Sequence, residues 1–152
     1  MLGLGHRALR KGRVAQAGGI YLVTFTTADR KPLFRDSALA MRACRGLAAG
    51  AHADGASPIC WVLMPDHFHG LVQLGETTSL TRWVQRLKAL ATMECHRAMP
   101  KSDRIWAKAF HDHALRQEED VQKTARYILN NPIRAGLIDD LMLYPYWDAN
   151  WL

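Results

Sequence analysis

No run of about 18 apolar residues occurs in the 152-residue chain, and no charged-then-apolar leader ends in a small-residue cleavage site. Neither a membrane span nor a signal peptide is therefore expected, and the expected location is the cytoplasm. Cysteine is scarce. Cys44, Cys60 and Cys95 are odd in number, widely spaced and never arranged as Cys-x-x-Cys, which fits reduced thiols in a core. Nothing repeats, and no low-complexity stretch or interdomain linker divides the chain, so one domain over 1–152 is expected. Acidic residues are missing from the start: Arg7, Arg10, Lys11 and Arg13 all precede the first of them, Asp29, which makes residues 1–18 a basic arm suited to a phosphate backbone. Overall, 20 Lys and Arg face 14 Asp and Glu, a net charge of +6 that favours a polyanionic partner. With 49% hydrophobic residues, the chain can still bury a sizeable core.

Two apolar runs broken by Pro65-Asp66 stand at the centre, Trp61 to Met64 and His67 to Leu74. They predict a β-hairpin. The period of two along a strand sends His67, His69, Leu71 and Gln73 to one face and Phe68, Gly70, Val72 and Leu74 to the other. The second face reads as core, so the two imidazoles are expected side by side on the face that the core leaves, where their ring nitrogens could hold one divalent ion. Upstream, Ile20 to Thr27 has the β-branched and aromatic composition of a first strand. Asp36 caps a first helix carrying Leu39, Ala40, Ala43, Cys44 and Leu47, with Gly50 at its end. Downstream, Thr77-Thr78-Ser79 caps a second helix marked by Leu80, Trp83, Val84, Leu87, Leu90 and Ala91. Ile105 to Phe110 reads as a further strand, with Asp112 at a bend, Ala114-Leu115-Arg116 as its continuation and a second His-x-His, His111 and His113, at the bend. A third helix opens at Glu118-Glu119-Asp120 and ends at Asn130-Asn131-Pro132. The order β, α, β, β, α, β plus a helix is the split βαβ, or ferredoxin-like, α+β pattern, with an antiparallel sheet. Its first two helices are expected on the Phe68 face, leaving the histidine face for the third helix or a ligand.

In the third helix, the apolar stripe of Val121, Ala125, Ile128 and Leu129 leaves Tyr127 nearly opposite its middle. The neighbours of Tyr127 at helical spacing, Lys123, Thr124, Asn130 and Asn131, are polar, which favours a task for the phenol over packing. Beside the paired histidines, this chain resembles the REP-associated tyrosine transposases, in the single-tyrosine branch of the HUH nucleases. The resemblance rests on Met64-Pro65-Asp66-His67-Phe68-His69, the Leu9 to Arg13 arm, the first strand, Phe110 to Arg116, Tyr127-Ile128-Leu129-Asn130-Asn131-Pro132-Ile133-Arg134-Ala135-Gly136-Leu137, and the Tyr144-Pro145-Tyr146-Trp147 tail. It spans almost the whole chain.

That resemblance implies a metal-dependent endonuclease and strand transferase acting on single-stranded DNA at palindromic hairpins through a 5′-phosphotyrosine and a free 3′-hydroxyl. Tyr127 would be the nucleophile. His67, His69 and Asn131, with Asn130 in reserve, would hold a divalent ion, Mg²⁺ or Mn²⁺, and the imidazole-amide set suits Mn²⁺ the better. Arg10, Lys11, Arg13, Arg116, Lys123, Arg126 and Arg134 would meet the DNA. The same resemblance implies a nucleoid-associated monomer with its tyrosine in cis, serving mobility, genome maintenance or repeat dispersal. A histidine-triad hydrolase would need a third alternating histidine where Leu71 stands, and a two-histidine phosphoesterase would need a Thr two residues after each histidine. The alternative is a zinc-stabilised DNA-binding regulator using His67, His69, His111 and His113.

Overall fold

The computed structural model describes residues 18–116 and 118–150, so the basic arm with Arg10, Lys11 and Arg13 lies outside the described residues. Five strands, β1 (Ile20–Thr26), β2 (Ser57–Met64), β3 (His67–Gln73), β4 (His111–Leu115) and β5 (Trp147–Ala149), form one antiparallel sheet in the order β4-β1-β3-β2-β5. The helices are α1 (Ser37–Ala51), α2 (Leu80–Cys95), α3 (Glu118–Leu129) and the single turn α4 (Asn131–Arg134). The first four strands with α1 and α2 are the expected ferredoxin-like unit, and β5 is added at its β2 edge. Among the described residues, no helix is long and apolar enough to cross a membrane.

Local chemistry sets the helix starts. Asp36 accepts from the amides of Ala38 and Leu39, and Ser79 accepts from that of Arg82, each satisfying donors that a first helical turn leaves open. On one sheet face, Val23, Phe25, Phe68, Val72 and Leu74 pack against Ala43 and Leu47 of α1 and Trp83, Val84 and Leu87 of α2. Phe25 stacks on Phe68 with ring centroids 4.6 Å apart, and burial of each such ring contributes about 2–3 kcal/mol. The other face is not left bare. Cys60, Val62, Met64 and Leu71 form a second core with Ala125, Ile128 and Leu129 of α3 and with Tyr144, whose hydroxyl donates to the Leu63 carbonyl at 2.6 Å.

Two sequence expectations need correction. The apolar segment Ile105 to Phe110 is not the fourth strand: Ile105 and Trp106 turn into the first core, where Trp106 meets Phe25 edge-on at 4.9 Å, and only one bridge, Thr27 to Trp106, joins this segment to the sheet. The strand proper begins at His111, so Asp112 lies buried within β4 and marks no bend. The apolar signal of this segment came from Ile105 and Trp106, which are buried in the core between sheet and helices. Pairing with β1 fell to the residues after it. The three-residue β5 at Trp147–Ala149 was also not foreseen, because a strand this short shows no alternation.

The α1–α2 contact depends on Gly46. A Cβ placed there would lie 2.5 Å from the backbone of Leu90 and Ala91, atoms that cannot move without displacing α2. Gly46→Ala gains about 1 kcal/mol of helix propensity and loses about 1–3 kcal/mol to overpacking. We expect the clash to win, lowering the urea midpoint without changing the slope of the transition.

Candidate functional site

Register places the histidines. In the sheet His67 pairs with Thr26 and Met64, and His69 with Thr24 and Val62, so the imidazoles share a face with two threonines on the β1 side and two apolar side chains on the β2 side. Their ring centroids are 6.0 Å apart. His67 Nδ1 lies 2.8 Å from Asp66 Oδ1. An ionised carboxylate only accepts, so this contact puts a proton on Nδ1 and leaves the lone pair on Nε2. Asp66 is itself held by Arg30, whose Nε and Nη2 both donate to Oδ2 at 3.2 and 3.1 Å. Burial alone would raise the Asp66 carboxyl, but the bonds from His67 and Arg30 outweigh it and hold it below the ordinary value of 3.8.

From the other side, α4 reaches the same place. Asn131 Nδ2 sits 3.2 Å from His69 Nδ1, while Arg134 Nη2 donates to Asn131 Oδ1 at 2.8 Å. The Arg134 guanidinium also covers the Tyr127 ring at 3.7 Å. The tyrosine is 58% exposed, as its place off the apolar stripe predicts. A continuous series of contacts thus runs from Tyr127 through Arg134 and Asn131 to His69. Pro132 ends α3 before Asn131, which opens a separate turn, yet its side chain still points at the histidines; Asn130 is exposed and precedes that turn.

His69 Nε2 is buried and has no hydrogen-bond partner. Burial first, and then the nearby His67 and Arg134 charges, push this imidazole down to about 4, so it is neutral at neutral pH. An orphaned buried ring nitrogen beside a second ring of fixed tautomer fits a divalent ion. As placed, the Asn131 amide nitrogen donates to His69 Nδ1 and leaves the ring proton on Nε2; turning the amide over would free that lone pair for an ion but would give up the bond from Arg134.

The remaining expected residues lie on α3 and at the end of β4. Lys123 lies one turn before Tyr127 on α3, Arg126 precedes it, and Arg116 ends the β4 edge; all three are exposed. His111 faces Thr24, which in turn faces His69, so β1 separates the two His-x-His pairs. Among the described residues, no group of three or more His, Cys, Asp or Glu side chains is arranged to hold a metal ion, which disfavours the four-histidine zinc reading. Arg30 was missed by sequence reasoning, and no spacing rule could have found it, 36 residues from Asp66. Its backbone is unusual: Asp29 and Arg30 both hold left-handed φ, 54° and 52°, at a cost of about 1–3 kcal/mol each.

The lowered His69 value sets a pH dependence of stability. Since the unfolded imidazole protonates near 6.5 and the folded one at about 4, acid favours the unfolded chain across that interval. Stability is full above 6.5, falls on the order of 2–3 kcal/mol between 6.5 and 4, and is then flat in this group. Asp66, lowered from 3.8, acts only below that window: its contribution is lost as pH falls through its folded value. Urea titrations across the interval should show the His69 slope in the parent chain and not in His69→Gln.

The sequence profile of the family described as IS200-like transposases matches residues 16–131, a span that takes in the histidines, Tyr127 and Asn131. A Haemophilus influenzae protein named for the REP-associated tyrosine transposases is 27% identical over 143 residues, covering 85% of this chain and 78% of its own. The REP-associated tyrosine transposase of Escherichia coli is 28% identical over 88 residues, 57% of this chain and 50% of its own. A solved REP-associated tyrosine transposase, bound to a REP hairpin, shares the fold with a TM-score of 0.73 at 19% identity, over 89% of this chain and 79% of that one. With three quarters of its length matched by the profile and its fold shared, the chain belongs to the IS200-like transposase family.

Proposed function

We propose that this protein cuts and rejoins single-stranded DNA beside palindromic hairpins, with Tyr127 as nucleophile. The observation that carries the reading is the contact series from the exposed Tyr127 through Arg134 and Asn131 to His69, which joins the tyrosine helix to the histidine strand. The Tyr127 oxygen attacks the phosphorus, the bond to the 3′ oxygen breaks, and the products are a 5′-phosphotyrosine and a 3′-hydroxyl. Reversal of the same step reseals the strand, because the covalent bond preserves the energy of the one broken. A phenol with a reference pKa of about 10 is a weak nucleophile at neutral pH. Arg134, stacked on the ring at 3.7 Å from its centroid, places a positive charge over the face of the phenol.

His67, His69 and Asn131 would hold the divalent ion, Mg²⁺ or Mn²⁺. When bound, it supplies Lewis-acid polarisation of the scissile phosphate. Neutral imidazoles favour Mn²⁺ as the better match. The exposed cations Arg116, Lys123 and Arg126, together with Arg10, Lys11 and Arg13 of the arm, would follow the backbone of the unpaired flank. A hairpin as partner is supported by the solved relative, which is bound to one. Action as a monomer, with both halves of the site from one chain, agrees with the contacts between α4 and β3 within this chain.

Wild-type protein incubated with Mn²⁺ and a hairpin carrying an extended 5′ strand should give an adduct that survives denaturing electrophoresis, mapped to Tyr127. Tyr127→Phe should give none, while its stability stays within about 0.5 kcal/mol because the side chain is largely exposed. Equal cutting by the variant would transfer the nucleophile's role to water or to another residue.

Binding should favour a hairpin with a single-stranded flank over plain duplex. Six phosphate contacts would weaken affinity roughly a few hundredfold between about 50 and 200 mM salt. Deleting residues 1–13 should flatten that dependence, as titration at two salt concentrations will show; an unchanged slope removes the arm from the interface.

A further inference from the structure

Arg30 lies outside every motif of the family resemblance, yet the loop that carries it is fastened to the hairpin turn at several points. The Thr27 amide donates to the Asp66 carbonyl at 2.9 Å, the Thr27 hydroxyl lies 3.2 Å from the same oxygen, and the Phe34 amide donates to the Pro65 carbonyl at 3.0 Å. Thr27 is fully buried. Within this clamp, two successive residues that are not glycine adopt left-handed backbone, a conformation that persists only where surrounding contacts over-determine it. The outcome is that the Arg30 guanidinium meets one oxygen of Asp66 while His67 takes the other.

Stability does not account for this arrangement. The Arg30 side chain is 63% exposed, and exposed ion pairs add little to folding. Geometry does account for it. With Oδ2 bonded to Arg30, rotation of the Asp66 carboxylate would break a bond on each of its oxygens, which favours keeping Oδ1 on His67 Nδ1. A carboxylate in that place dictates which nitrogen of the imidazole bears the proton and which way the ring faces.

We propose that Arg30 is a positioning residue that, through Asp66, locks the His67 ring as its Nδ1–H tautomer with Nε2 directed into the site. Its value for catalysis rests on the reading of His67 and His69 as ligands of a divalent ion. The locking itself does not. Outer-shell partners of this kind change metal affinity by about 10–100-fold, although Arg30 touches neither the ion nor the DNA phosphate in this scheme.

The test uses the full chain and Arg30→Gly. Glycine suits a φ of 52°, so this variant removes the guanidinium while relieving the backbone, and it should melt at or above the parent temperature. Nitrogen-15 imidazole spectra of metal-free protein at neutral pH, with His67 assigned by its loss in His67→Gln, read the tautomer directly. The parent should show Nδ1–H, and Arg30→Gly should show a mixture with Nε2–H and Mn²⁺ affinity weakened roughly tenfold or more by calorimetry. Arg30→Lys keeps the charge without the fork and should fall between the two. An unshifted His67 tautomer in folded Arg30→Gly overturns the proposal, whatever the Mn²⁺ affinity. Should the parent bind no Mn²⁺ while the tautomer still shifts, the metal reading of the histidine pair fails and the assignment of Arg30 stands.

Discussion

A strand hydrogen-bonded along both edges cannot slip by one residue without turning every side chain to the opposite face, and β3 is such a strand, at the centre of the sheet between β1 and β2. Its alternation decides everything above and below it. Phe68 and Val72 anchor the layer under α1 and α2, while Leu71 meets α3 and His69 meets α4. A shifted register would bury two imidazoles among aromatic rings and take Phe68 out of the layer under α1 and α2. The apolar core therefore decides the face on which the histidines lie, and the side chains around them are left to set how each ring turns.

The two sides of the sheet are unequal in a way that suits their tasks. Below, large rings interlock: Phe25, Phe68, Trp83 and Trp106 contact one another within about 4.6–6.2 Å of centroid separation. Above, α3 rests on smaller side chains, with Ala125, Ile128 and Leu129 as its buried contribution, and its exposed face carries the tyrosine. A helix with this modest apolar anchorage belongs to the less stable part of the molecule, where local opening requires less free energy than unfolding of the sheet. The face with the interlocked rings supports the strand that holds the imidazoles, and the helix with fewer buried side chains brings the phenol.

Much of this was legible from residue order because the deciding signals are local. Asp36 and Ser79 cap the helices they precede, and the alternation from His67 to Gln73 faces as the pleat requires. The off-stripe position of Tyr127 showed in a helical projection, and its exposure follows from that. Less legible was the cover on the histidine face. Yet β2 offered a hint, since Ile59 to Met64 is continuously apolar, as in a strand buried on both sides, and the stripe of α3 is the matching surface. The position of β4 was misread because Ile105 and Trp106 are apolar through burial in the core, and burial does not require sheet pairing. Arg30 could not be read at all: its bond to Asp66 depends on a left-handed loop that carries no glycine to announce it.

The strand order also governs how the chain matures during synthesis. β1 is made first but has neighbours, β3 and β4, that lie far along the sequence. At about 5–20 residues per second, an apolar Ile20–Thr26 must wait roughly 2–10 s after translation before β3 exists to pair with it, and longer for β4. For that interval Val23 and Phe25, which end up wholly enclosed, face water or whatever cellular factor shields nascent chains. The hairpin of β2 and β3, with its two-residue connection, needs no such delay and can close as soon as it emerges, so the ribosome delivers the histidine-bearing strand in a form ready to capture the older one.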